Sequence, residues 1–146
     1  MIMTQQYERQ KVLSASPMEL ILMLYDGGVR SLTGAIEAFD IADGIEQRNG
    51  MHKHLLQAQS FITELACSLD VEQGGAMARQ IERLYDFMLN HLVEANKSGR
   101  RQPVEEVRTM LSELRDGWAQ AMESMPRDQV PEPVAVERTS SFNFSG

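Results

Sequence analysis

Apolar positions along this 146-residue chain recur at three- and four-residue steps in four separate stretches. That spacing stacks side chains on one face of an α-helix. No stretch alternates with period two over enough residues to predict a strand. In the first stretch Ile21, Tyr25, Val29, Leu32, Ile36 and Phe39 form a continuous stripe. Its start is marked by Ser16 as N-cap, Pro17 at the first helical position and Glu19 three residues after the cap, a capping box. Its end is expected near 42–44. The second helix is predicted over 46–69, with Met51, Leu55, Ala58, Ile62, Leu65 and Leu69 as its stripe. The segment DVEQGG (70–75) reads as a turn. The third helix is predicted over 76–96 on Met77, Ile81, Leu84, Met88, Leu92 and Ala95, with Tyr85, Leu89 and Asn96 as an adjacent row. KSGRRQP (97–103) reads as a basic turn whose cations suit a helix C-terminus. The fourth helix, over 104–125, carries Val107, Leu111, Leu114, Trp118, Ala121 and Met125, and Pro126 stops it.

Four helices of about 20 residues, each about 30 Å long, joined by short turns predict an all-α fold: an antiparallel up-down four-helix bundle spanning 16–125. Residues 1–15 form a flexible N-terminal segment with Tyr7, Val12 and Leu13 as anchors. Residues 126–146 hold three prolines, scattered charges and a Ser-rich end. That composition buries too little apolar surface to offset chain entropy, so a disordered tail is expected. Within it, SSFNFSG either docks back through Phe142 and Phe144 or is inert.

Two features exceed what a bundle needs. Leu20 to Tyr25 is an unbroken apolar run, although a surface helix needs only one stripe. Ten methionines are many for this length, and methionine suits surfaces that adapt to a partner. Part of the surplus lines the bundle core, and part is expected to floor a groove that another chain covers. Gly27 and Gly28 follow the run inside the helix, where each costs about 1 kcal/mol relative to alanine. Close approach of a neighbouring helix or of a bound segment is the expected compensation.

Charge and chemistry narrow the function further. A net charge of −7, with no basic patch, argues against nucleic-acid binding. The polar start MIMTQQYERQ lacks the apolar region of a signal peptide, and no apolar run approaches the ~20 residues of a membrane span. A cytosolic protein with no stable membrane insertion is therefore expected. The single cysteine, Cys67, excludes an internal disulfide and sits among Leu65, Ala66 and Leu69, which predicts a small buried hydrophobe. There is no nucleophile, phosphate-loop or dinucleotide motif, and no Glu-x-x-His spacing for a bundle metal site. No enzymatic activity, cofactor or metal is expected. His52 and His54 do not share a helix face, and solvated surface histidines are the expected reading. A phosphotransfer bundle would use His54 or His91 as acceptor; His91, flanked by Asn90 and Leu92, lacks the adjacent cation and small neighbours such a role needs. A purely structural adaptor or homodimer would use the same apolar surplus and stays open.

Several segments resemble one family in order. SASPMELILMLYDGGVRSL (14–32) is similar to the opening helix of the flagellar secretion chaperone FliS family. ELACSLDVEQGGAMARQIERLYDFMLNHLVEAN (64–96) resembles its second turn and third helix, and VEEVRTMLSELRDGW (104–118) its last helix. YERQKVLSASP (7–17) fits as well, with Tyr7 at the expected distance. Met18 stands where the family commonly has Glu, and Ala76 where Glu often follows the glycine pair. The resemblance implies a chaperone that binds the disordered C-terminal segment of flagellin in apolar grooves, prevents its polymerisation and delivers it to a flagellar type III export gate component without using nucleotide. It also implies that the N-terminal segment caps one groove in the free state, with Tyr7 over it. Flagellin contacts are expected among Ile21, Leu22, Tyr25, Ile62, Leu65, Tyr85, Leu89, Asn96, Leu111 and Trp118. For Asn96, capping of the third helix is an equal alternative to bonding client backbone. For Trp118, a place in the bundle core is an equal alternative to a client anchor.

Overall fold

The computed structural model describes residues 2–125, and these form five helices: α1 (Ile2–Ser14), α2 (Pro17–Ala38), α3 (Gly44–Cys67), α4 (Val71–Ser98) and α5 (Gln102–Ser124). The expected tail, with Phe142 and Phe144, lies outside the described residues.

Caps set the boundaries. At α2 the Ser16 side chain accepts from the Glu19 N–H, with Pro17 beginning the helix as expected. α2 stops at Ala38, earlier than predicted, because Asp43 serves as N-cap of α3. Its extended backbone (φ −73°, ψ 122°) turns its carboxylate onto the N–H groups of Ile45 and Glu46. An N-cap must leave helical φ/ψ, so α2 cannot run on into Gly44. DVEQGG, expected as a turn, is helical from Val71, with Asp70 as N-cap accepting from the Gln73 N–H. The glycine pair breaks the helix at Gly75 (φ 62°, ψ −140°), and α4 resumes after it. The far end of α4 closes at Gly99 in the left-handed conformation (φ 68°), whose N–H donates to the Ala95 carbonyl. Glycine tolerates that conformation.

α1 is the element that periodicity does not predict. Its residues are good helix formers without an apolar stripe, and its C-terminal end packs onto the rest. There Val12 joins Ala15, Leu20 and Met23 in a small cluster.

Helices α2 to α5 pack as a ring in which α2 meets α3 and α5, and α4 meets α3 and α5. Side-chain contacts fix antiparallel neighbours. Trp118, late in α5, donates from Nε1 to the Met18 carbonyl at the start of α2 (2.9 Å), while Arg101 before α5 reaches Asp40 beyond the end of α2 (3.3 Å). His52 early in α3 bonds Asn96 late in α4 (2.9 Å), and His91 late in α4 bonds Glu106 early in α5 (2.7 Å). This is the expected up-down bundle. Its core gathers Leu24, Tyr25, Leu32, Leu55, Ile62, Met88 and Leu111 with their buried neighbours.

Gly27 and Gly28 are explained by neighbouring helices. A Cβ on Gly27 would lie 2.5 Å from the Phe61 ring of α3, and one on Gly28 would lie 2.7 Å from Cδ2 of Leu111 in α5. The two missing side chains let α2 approach both neighbours at once.

Candidate functional site

With the ring in place, each of its four seams can be read for what covers it. The α2/α5 seam is bridged by charge. Arg115 Nε donates to Asp26 (2.8 Å) and its Nη1 to Asp116 (3.3 Å). Those two carboxylates raise the Arg115 pKa above its ordinary value, Asp26 contributing most. Lower on the same seam Arg101 joins Asp40 and Glu105. The α2/α3 seam is closed by close packing, with Phe61 on Gly27 and the His54 ring on Gly34, where a Cβ would come within 2.8 Å of the imidazole.

The two seams that flank α4 differ. On the side facing α5, which the His91–Glu106 bond identifies, Leu84, Phe87 and His91 follow one another at i, i+3 and i+7. Leu84 is 37% exposed, Phe87 46% and Met77, two turns before this row, 72%. The Phe87 ring stacks on His91 at 4.6 Å. On the side facing α3, which the His52–Asn96 bond identifies, Leu89, Val93 and Asn96 run at i, i+4 and i+7. The facing row on α3 is His52, Leu56, Gln59 and Thr63, and Leu56 and Val93 are 45% and 43% exposed. Leu56, Gln59 and Thr63 also border an open depression on the outer face of α3. Apolar side chains left on the surface in rows, rather than singly, mark interaction surfaces. The two flanks of α4 are therefore the candidate site.

The expected contact residues divide among three environments. Tyr25, Ile62, Leu65, Tyr85 and Leu111 are buried in the core, so a chain docking on the folded bundle does not touch them. Tyr25 and Tyr85 meet across the interior through their hydroxyls (2.6 Å). Burial raises both phenol pKa values, and for Tyr85 the bond and charge of Tyr25 add to it. Ile21, Leu89 and Trp118 are half-buried and packed against that core, and Leu22 is half-buried on α2. Trp118 lies 6.5 Å from the Tyr25 ring and spends its N–H on Met18, so both of its ends are engaged within the bundle. Asn96 does not cap α4. Gly99 is the C-cap of α4, and the Asn96 Nδ2 group is held by His52 Nδ1. Tyr7 is 67% exposed on α1. The residue that packs from α1 onto α2 is Val12, so Leu20 in the opening apolar run is covered by this chain's own N-terminal end rather than by another chain.

Three expectations are corrected. On α4 the expected Met88, Leu92 and Ala95 are buried and Ile81 packs against the core, but Ala78 and Tyr85 take the inward places expected of Met77 and Leu84, which face outward. Cys67 is exposed at the end of α3, not buried, because the stripe passes through Leu65 and leaves Cys67 on the opposite side. The surface apolar residues Leu56, Phe87 and Val93 were absent from the expected contact set. The signal that finds them is the spacing of Phe87 from Leu84 and of Val93 from Leu89, which places each on a flank of the α4 core stripe.

Neither phosphotransfer histidine suits the chemistry. His91 pairs with a carboxylate, which repels a phosphoryl group, and His54 is packed on α2. Among the described residues no group of three or more His, Cys, Asp or Glu could hold a metal ion, and no helix is long and apolar enough to cross a membrane.

Comparison with known proteins bears on what such a surface is for. A family model described as flagellar protein FliS matches residues 2–125. The chain is 34% identical over 109 residues to the flagellar secretion chaperone FliS of Salmonella typhimurium, covering 75% of this chain and 78% of that protein. It is 33% identical over 125 residues to the protein of the same name in Bacillus subtilis, covering 84% and 88%. It is 36% identical over 110 residues to the flagellar secretion chaperone FliSB of Pseudomonas aeruginosa, covering 74% and 82%.

Proposed function

The chain belongs to the FliS family of flagellar secretion chaperones, and from that membership we propose that its client is the disordered C-terminal segment of flagellin, bound along the apolar flanks of α4. The members of this family are chaperones, not enzymes. The observation that carries the proposal is the contrast between seams. Both seams of α2 are tightly packed at Gly27, Gly28 and Gly34, whereas beside the His91–Glu106 and His52–Asn96 bridges of α4 the apolar Leu84, Phe87, Leu56 and Val93 remain on the surface.

The physical requirement is that binding must repay the ordering of a flexible chain, typically 2–5 kcal/mol or more. Each large apolar side chain that passes from water to a contact contributes about 1.5–3 kcal/mol when fully buried. The surface rows are already partly covered, so several must act together. A client segment that coils into short amphipathic helices would present apolar residues at i, i+3, i+4 and i+7, the spacing of the rows that receive them. Holding those residues on the chaperone withholds them from other flagellin subunits. Release to a component of the flagellar export gate, in the cytosol, follows from the same reading. Val12 packs from α1 onto the Ala15–Leu20 cluster while Tyr7 is exposed, which places Tyr7 where it could cover an empty groove and withdraw from an occupied one.

The test is calorimetric titration of the full chain with a peptide of about 40 residues from the C-terminus of flagellin of the same organism. Tight one-to-one binding with a large negative heat-capacity change is expected, since that change reports apolar burial. No binding at tens of micromolar would overturn the client assignment. Tyr7→Ala should leave the fold intact and change the affinity; an unchanged affinity removes Tyr7 from the capping role.

A further inference from the structure

We propose that the C-terminal end of this chain, through Phe142 and Phe144, docks into the chain's own α4/α5 seam at Met77, Leu84 and Phe87. The α4/α5 flank is shared with the proposed client, so tail and client would compete for Leu84 and Phe87, and the experiment below reads the free chain. The proposal rests on three observations: which seam is open, where the described chain ends, and how far the two phenylalanines lie beyond that point.

The α4/α5 seam, bridged at one point by His91 and Glu106, is walled by α5, and α5 leads directly into the remaining residues. On the α4 side it presents Met77, Leu84 and Phe87, all exposed. On the α5 side Met110 packs at the edge of the core. The antiparallel register is set by His91 facing Glu106, which brings Phe87 level with Met110. Met110 lies fifteen residues before Met125, about 22 Å along the axis at 1.5 Å per residue. Leu84 and Met77 are progressively nearer to Met125. The α3/α4 seam, by contrast, lies on the far side of α4 and deeper along the bundle.

The sequence beyond Met125 fits that distance. Phe142 is seventeen residues from Met125. A flexible coil of that length has a root-mean-square span of about 20–25 Å, and a polyproline II path would reach at most ~53 Å. The axial distances from Met125, about 22 Å to the level of Phe87, ~18 Å to Leu84 and ~8 Å to Met77 at 1.5 Å per residue, lie at or below the coil span, where effective concentration reaches the millimolar range. A docking interaction with an intrinsic dissociation constant of about 1 mM is then half occupied within one molecule. The last eight residues, TSSFNFSG, carry no charged side chain and two aromatic rings. Burying the two rings against an apolar row requires the hydroxyls, the Asn143 amide and the backbone N–H and C=O groups of the segment to stay hydrated at the rim.

The experiment uses the full chain with methionine, leucine and valine methyl groups isotopically labelled and a nitroxide attached through Ser145→Cys in a Cys67→Ser background. The expected result is at least a twofold loss of intensity at the Met77, Leu84 and Met110 methyls, with Leu56 and Val93 unaffected. Phe142→Ser together with Phe144→Ser should abolish that loss, and these positions lie outside the bundle, so its fold is not at issue. Equal intensities at both seams, or losses at Leu56 and Val93 instead, would overturn the proposal. So would losses that arise when the nitroxide and the methyl labels sit on different chains, since the occupant would then be a second copy.

Discussion

Replacing Gly28 and Gly117 by alanine, one at a time, tests the packing argument directly, because both glycines lie inside helices and only one is crowded. A Cβ on Gly28 would stand 2.7 Å from Cδ2 of Leu111 and 3.6 Å from Cβ of Phe61, whereas one on Gly117 meets nothing within 4 Å. Leu111 is fully buried, so it cannot swing into solvent to make room. Both substitutions gain about 1 kcal/mol of helix propensity. Only Gly28→Ala incurs overpacking, typically ~1–3 kcal/mol in a tight core. The propensity gain cancels in the comparison, so Gly117→Ala should be the more stable variant by about 1–3 kcal/mol, the overpacking cost alone. At about 4 °C per kcal/mol for a domain of this size, their melting temperatures should differ by about 4–12 °C. Urea denaturation is the cleaner assay, since an unchanged slope shows that the shift in midpoint is a shift in stability. If both variants move by the same amount, within about 0.5 kcal/mol of each other, the close approach of α2 to α5 at Gly28 is not a constraint and the account of the glycine pair fails.

Other outcomes follow from the same contacts. Tyr85→Phe leaves the buried Tyr25 hydroxyl without its partner and should cost about 1–3 kcal/mol, whereas Tyr25→Phe with Tyr85→Phe removes both hydroxyls and should recover most of that loss; a denaturation cycle measures it. Because burial raises both phenols above their ordinary value of 10.0, the folded state favours their neutral form. Their contribution to stability is therefore fully present below pH 10 and is lost as pH rises through the folded-state values. Absorbance at 295 nm should show Tyr25 and Tyr85 ionising together with unfolding, and free titration of both near pH 10 in the folded protein would contradict their burial. Leu84→Glu and Val93→Glu, one on each flank of α4, should each weaken flagellin-peptide binding at least tenfold while shifting stability by no more than about 0.5 kcal/mol, as surface substitutions do. Calorimetry and denaturation together separate these effects, and loss of binding from neither variant would move the client off α4.

Much of the fold is legible along the chain because helices write themselves in local spacing. The Ser16–Pro17–Glu19 start, the stripe of α3 through Met51, Leu55, Ala58, Ile62 and Leu65, and the Val107–Leu111 face of α5 all stand where the sequence places them. The capping residues Asp43 and Asp70 were less legible, since an aspartate before a glycine or valine reads equally as turn. α1 was illegible as a helix because it has propensity without a stripe, and nothing along the chain says that Val12 will find Leu20. On α4 the apolar residues exceed one stripe, so spacing alone permitted two neighbouring choices of core face. Choosing between Leu84 and Tyr85 required knowing that Tyr85 meets Tyr25 on the opposite helix of the ring.

The candidate site divides along the same line. The sequence by itself determined that there are four amphipathic helices, that their apolar content exceeds what one stripe each would use, and which family the ordered motifs resemble. It determined these because each depends on residues a few positions apart. The tertiary structure alone decided which of the surplus residues face inward. Tyr25, Ile62, Leu65, Tyr85 and Leu111 became core, and Leu56, Leu84, Phe87 and Val93 became surface, because the rotation of each helix is set by its two neighbours at once. Close approach at Gly27 and Gly28, the Arg115–Asp26 ion pair and the His52–Asn96 and His91–Glu106 bonds fix those rotations. All are contacts between residues distant in sequence, and no local pattern encodes them.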